Sequence, residues 1–113
     1  MERIVEQTLL YDFYGELLTD HQKKVYEDVV FNDLSLSEAA EEHGISRQGV
    51  HDLIRRCSRT LQNYEEKLGL VEKFLKTQEK VREIHRLTQE FLETGSRELI
   101  LQIEELSGEI SRL

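Results

Sequence analysis

Apolar residues recur along this chain at the spacing of helices. Ile4, Val5, Leu9, Leu10, Phe13, Tyr14 and Leu17 fall three and four positions apart, which predicts a first helix from about Glu2 to Leu18. Thr19 can cap a second helix, and Asp20 places a negative charge in its first turn. Val25, Tyr26, Val29, Val30 and Phe31 form its apolar face, and Asn32-Asp33 is a turn signal. Ser35-Leu36-Ser37-Glu38 has the form of a capping box, Ala39 and Ala40 follow, and Gly44 ends a very short third helix. Ser46 caps a fourth helix with an apolar stripe of Val50, Leu53, Ile54, Cys57, Leu61 and Tyr64. At about 100° per residue, Arg47, Gln48, His51, Asp52, Arg55 and Arg59 fall on the opposite arc.

Gly69 marks a break. Beyond it Leu70, Phe74, Val81, Ile84 and Phe91, widened by Val71, Leu75 and Leu87, predict a long helix whose repeat only loosely resembles heptads. Glu93-Thr94-Gly95-Ser96 is a stop followed by a cap, and Leu99, Ile100, Ile103, Leu106 and Ile110 mark a last helix. The expected fold class is therefore all-α. Its organisation is a helix-turn-helix domain over residues 1–64 and a helical extension over residues 65–113. The absence of proline and the abundance of Glu, Lys, Leu and Gln agree with this.

Charge sharpens the picture. The formal net charge is −8, which argues against a protein that coats nucleic acid indiscriminately. Residues 46–60 nevertheless carry four arginines against one aspartate, while the segments on either side are acidic. The one positive window thus coincides with the fourth helix. A single cysteine, Cys57, cannot form an internal disulfide and suits a reducing cytoplasm; on the apolar stripe it reads as a small core residue. The opening stretch is acidic without a long apolar core, so no signal peptide is expected, and no run approaches the roughly 20 apolar residues of a membrane span. His21, His43 and His85 are scattered, and no metal-ligand spacing, glycine-rich phosphate loop or nucleophile elbow occurs. No cofactor, metal or enzymatic activity is expected.

A helix-turn-helix needs small residues where two axes approach, a turn residue tolerant of left-handed φ, an apolar anchor and a capped second helix. Ala39 and Ala40, Gly44, Ile45 and Ser46 supply these in order, and Val50 and Ile54 would lock the pair. The stretch from Leu34 to Val50 resembles the helix-turn-helix of bacterial sigma-factor region 4, as does Leu18-Thr19-Asp20-His21-Gln22 upstream. The whole chain is closer still to the YlxM family of small bacterial proteins, through its opening motif, the GISRQGVHDLIRR segment and the acidic helical tail. That resemblance implies a helix-turn-helix regulator linked, through gene neighbourhood, to the signal recognition particle and protein targeting. It also implies that Arg47, Gln48, His51, Asp52 and Arg55 face bases or phosphates of DNA. Arg56 and Arg59 extend the set as phosphate contacts. Gly49 departs from the pattern, because a polar side chain is usual there; either it allows a close approach or base reading has been lost.

The leading expectation is a cytoplasmic, DNA-binding regulator that pairs as a homodimer through residues 65–113 and touches no membrane. The alternative is an adaptor that keeps the fold but binds a signal recognition particle protein or RNA instead of DNA. Packing of the extension within its own chain is the alternative to dimerisation.

Overall fold

A computed structural model describes residues 3–113. Among them there are six α-helices and no strand: α1 (Arg3–Tyr14), α2 (Asp20–Val30), α3 (Leu36–His43), α4 (Arg47–Leu68), α5 (Leu70–Thr94) and α6 (Arg97–Ser111). They fall into two compact units, one ending at Gly69 and one running from Leu70 to Leu113. The boundary expected after Tyr64 lies inside α4, which continues to Leu68 because Glu65, Glu66, Lys67 and Leu68 are all good helix formers. It stops at Gly69, whose φ of 62° is left-handed and whose N–H bonds the Glu65 carbonyl.

In the first unit the local signals do what their chemistry requires. The Thr19 side chain accepts the Gln22 N–H while Gln22 reaches back to the Thr19 N–H. Ser35 and Glu38 make the same reciprocal pair at the start of α3. Each box satisfies donors that a helix start leaves without partners. The first helix ends earlier than its pattern suggests. It stops at Tyr14, and Gly15–Leu17 form a 3-10 turn closed by the Leu18 N–H on the Gly15 carbonyl at 3.0 Å. Gly15 is buried, and a Cβ there would sit 3.0 Å from the Tyr11 ring, so the chain turns over an aromatic face that a larger residue would crowd. The expected start at Glu2 lies outside the described residues. The turn also leaves Leu17 exposed on a helix side expected to be buried, while Leu10, Tyr14 and Leu18 are enclosed.

The core of this unit has two parts. Val25, Ala39, Ala40 and Val50 are buried together, with Leu34, Leu36, Ile45 and Ile54 packed around them. This cluster clamps α3 against α4, and its alanines give the axes room to approach. Beside it Tyr14, Tyr26, Cys57 and Leu61 are at most 1% exposed. The tyrosines keep their polar ends satisfied. Tyr14 donates to Glu65 Oε1 at 2.5 Å and Tyr11 donates to the Glu27 carboxylate. Tyr11 stacks on Tyr26 with ring centres 5.5 Å apart, and Phe31 meets both edge-on. Burial, and the Glu27 carboxylate that accepts its hydrogen bond, hold the Tyr11 phenol well above the usual tyrosine range.

The second unit is an antiparallel helical hairpin. Gly95, left-handed at φ 67°, and Ser96 are all that separates α5 from α6. Lys80 Nζ meets Glu109 Oε2 at 2.9 Å across the pair, which fixes the direction of the return. Ser96 occupies the capping position expected of it but makes no side-chain cap bond; its N–H instead donates to Thr94 Oγ1. Leu87 and Leu99 are buried in the seam.

Candidate nucleic-acid interface

The exposed side of α4 is built from its start. Ser46 is extended at φ −74°, and its side chain accepts the Gly49 N–H at 2.9 Å. Gly44, left-handed at φ 66°, and Ile45, whose N–H bonds the Ala40 carbonyl, turn the chain from α3 into this cap. Gly49 is the third helical residue, and a Cβ there would lie 3.0 Å from the Ser46 oxygen that makes the cap bond. Gln22 and Glu38 carry side chains at the same position of the Thr19 and Ser35 caps, so the cap alone does not call for a glycine.

From this fixed start the polar arc runs as the periodicity requires. Arg47, Gln48, His51, Arg55, Arg56 and Arg59 are exposed, and Asp52 is half-exposed beside them. Val50, Cys57 and Leu61 are buried on the other side, with Leu53 and Ile54 partly buried. From Arg47 to Arg59 the helix rises about 18 Å, roughly half a turn of duplex DNA. Asp52, Arg55, Arg56 and Arg59 line a shallow concavity of about 200 Å³.

The charges within this surface are arranged unevenly. Asp52 Oδ1 accepts from Gln48 Nε2 at 3.0 Å and lies 3.7 Å from His51 Nδ1. It is engaged by neutral or titratable neighbours and by no arginine. Among the described residues, none of Arg47, Arg55, Arg56 and Arg59 has a carboxylate within ion-pair distance, whereas Arg86 in the hairpin is held by both Glu83 and Glu90. Four guanidinium groups, each with its planar donor fork, are thus directed to water. The outer side of α3 is the reverse: Glu38, Glu41 and Glu42 are exposed there.

Sequence reasoning missed the bond that steadies the first helix of the pair. His43, at the end of α3, meets Asp28 of α2 at 2.8 Å, and Asn32 donates to the same carboxylate at 3.1 Å. These hydrogen bonds hold the Asp28 carboxyl below the usual aspartate range. No local pattern announces a pair fifteen residues apart. The reciprocal bond between Thr19 and Gln22 was missed as well: sequence reasoning took Thr19 as a cap alone, although Thr-Asp-His-Gln has the spacing of a box. No group of three or more metal-ligating side chains occurs among the described residues, and no described helix is long and apolar enough to cross a membrane.

A short capped helix, a glycine turn and a second helix with an open polar arc define a helix-turn-helix protein. Residues 1–100 match the model of the family UPF0122, described as "Putative helix-turn-helix protein, YlxM / p13 like", and the chain belongs to that family. A UPF0122 protein of Thermoanaerobacter is 44% identical over 107 residues, which cover 94% of this chain and 92% of the relative. One from Caldanaerobacter subterraneus is 52% identical over 77 residues, 68% of this chain and 66% of the relative. One from Acetivibrio thermocellus is 49% identical over 84 residues, 74% and 72% of the two chains.

Proposed function

We propose that this chain is a cytoplasmic DNA-binding regulator, without enzymatic activity of its own, that acts as a homodimer and places the start of α4 in a major groove. The observation that carries this reading is the set of four unpaired arginines on the open arc of a capped helix, in the one positive stretch of an acidic chain. Arg55, Arg56 and Arg59 hold phosphates, which position the helix without reading sequence. Arg47, Gln48 and His51 reach base edges or flanking phosphates. A carboxylate facing DNA is repelled by phosphate, so Asp52 serves chiefly to orient Gln48 and His51. To read adenine with both ends of its amide, Gln48 must release Asp52 first. Regulation of a protein-targeting operon is the role that the family resemblance implies.

A second reading is favoured by the acidic outer side of α3. In helix-turn-helix complexes the first helix crosses the phosphate backbone, and Glu38, Glu41 and Glu42 oppose that contact. On this reading the same α4 surface binds a protein or the RNA of the signal recognition particle as an adaptor.

Fluorescence anisotropy against a duplex from the chain's own operon promoter and against signal recognition particle RNA tests both, at low and moderate salt. Binding to the duplex should weaken steeply with salt, at a logarithmic slope of about −0.9 per phosphate contacted. An Arg55→Ala/Arg56→Ala/Arg59→Ala variant should bind at least roughly tenfold more weakly, with less salt dependence. Preference for the RNA moves the reading to the adaptor. Absence of binding to either at low salt overturns the nucleic-acid reading.

A further inference from the structure

The polar arc of α4 carries one carboxylate among its arginines, and that carboxylate stands at its middle. At about 100° per residue, Gln48 and Asp52 lie roughly 20° to either side of the line directly opposite Val50, which is fully buried. Arg47 and His51 fall on one flank of that line and Arg56 on the other. In a helix seated in a major groove the middle of the outer side faces base edges, and the flanks face the two sugar-phosphate walls. Base contacts come from the first turns of such a helix. Gln48 is the second residue of α4 and Asp52 the sixth. Arg59 shares the line two turns later, where a straight helix parts from the curving groove and meets the backbone.

The two oxygens of Asp52 have different surroundings. Oδ1 accepts from Gln48 Nε2 at 3.0 Å and lies 3.7 Å from His51 Nδ1. The orienting role already described uses that oxygen alone. Among the described residues none bonds Oδ2, and the Asp52 side chain is 46% exposed. One oxygen is held by the protein and the other is left for a ligand.

We infer that Asp52 is a specificity-determining residue: with Oδ1 held by Gln48, its Oδ2 accepts a hydrogen bond from the N4 amino group of a cytosine in the major groove. The inference rests on the DNA-binding reading of α4 and names the base that this surface selects. An ionised carboxylate only accepts, so it needs a donor, and the major groove offers the N4 amino group of cytosine and the N6 amino group of adenine. Adenine sets its N7 acceptor beside that amino group, which repels a carboxylate; cytosine carries no acceptor on the same edge. Guanine and thymine present acceptors there and no donor. The Gln48 amide, which would otherwise favour adenine, is committed to Asp52 by the bond that pins Oδ1. An aspartate is short, so the backbone must come close to the base edges. Gly49 follows Gln48 and presents no side chain to hold the helix off. On a flank, a carboxylate would face phosphate and weaken binding to every sequence alike. On the middle line it penalises the base pairs that offer it no donor, which turns a loss of affinity into selectivity.

Selection by the full chain, at low salt, from a pool of duplexes with a randomised central stretch tests this, with fluorescence anisotropy on the enriched duplex. The wild-type chain should enrich a motif with a fixed C·G pair, and replacing that pair by T·A should weaken binding roughly 10-fold to 100-fold. Asp52→Asn keeps an oxygen for Gln48 and removes the charge. It should bind the unselected pool more tightly, and its motif should carry A·T at the same pair, since an asparagine reads adenine with both ends of its amide. That exchange separates a cytosine read by Asp52 from a guanine read by an arginine of the arc. Glu41→Gln removes one charge from the exposed side of α3 and should leave the motif unchanged. A wild-type motif without a fixed C·G pair overturns the inference. So does a motif that Asp52→Asn leaves unchanged, which is the result of a carboxylate that only orients its neighbours. Binding with no duplex enriched overturns it as well and leaves DNA binding by α4 standing. Absence of binding to every duplex overturns both.

Discussion

The two units are both helical, yet they are specified by different means. In the first, residue identity fixes each junction: Thr19, Ser35 and Ser46 cap with their side chains, Gly44 turns left-handed, and four side chains are at most 1% exposed in the aromatic half of the core alone. In the hairpin the one capping serine makes no side-chain bond, and apolar residues are spread on more than one side. The first unit is a folded object whose surface can be assigned a task. The second is a pair of helices that encloses few side chains of its own. Helical propensity alone does not distinguish the two; caps and enclosure do.

The largest expected effect tests the enclosure. Leu61→Ala should destabilise the first unit by about 3 kcal/mol, since it removes a fully buried side chain from a tyrosine-lined core. Leu101→Ala, exposed in the hairpin, should change stability by less than about 0.5 kcal/mol. Urea unfolding followed by circular dichroism measures both, and equal losses would break the contrast. Hydrogen exchange sharpens it: amide protection in α5 and α6 should rise with protein concentration, while protection in α1 to α4 should not.

Smaller effects test the junctions. Gly44→Ala forces a Cβ into left-handed backbone, and Ser46→Ala removes the cap of α4; each should cost about 1 kcal/mol. Ser96→Ala should cost little, because the Ser96 side chain makes no cap bond.

The smallest expected effect concerns acid. Hydrogen bonds from His43 and Asn32 hold the Asp28 carboxyl below its unfolded value. A carboxylate depressed in the folded state contributes stability that is full above its unfolded pKa, near 4, and lost as pH falls through the folded value. Asp28 is partly exposed, so solvent reduces the contribution to a few tenths of a kcal/mol. Thermal melts of Asp28→Asn should therefore converge on those of the wild type as the pH drops below about 4.

Much of this was legible because the relevant interactions are local. A capping box is complete within four residues, so Ser35 and Glu38 announce α3 in the sequence itself. The polar arc of α4 follows from periodicity, and the structure keeps Arg47, Gln48, His51, Asp52, Arg55, Arg56 and Arg59 on its open side. What escaped involves partners distant in sequence. The 3-10 turn after Tyr14 depends on the Tyr11 ring packing over Gly15, which no residue window encodes. The links from Tyr14 to Glu65 and from His43 to Asp28 arise only once helices are in place.

Cys57 gives the first unit a clock of its own. It is the chain's only thiol, it is fully enclosed, and burial pushes its pKa up. A thiol reagent can reach it only when the packing around α4 opens, because the reactive form is the solvated thiolate. Its labelling rate, taken at reagent concentrations low enough for reclosing to compete, therefore reports how often α4 leaves its bed. The same rate followed with and without bound nucleic acid would express binding as a slowing of that opening.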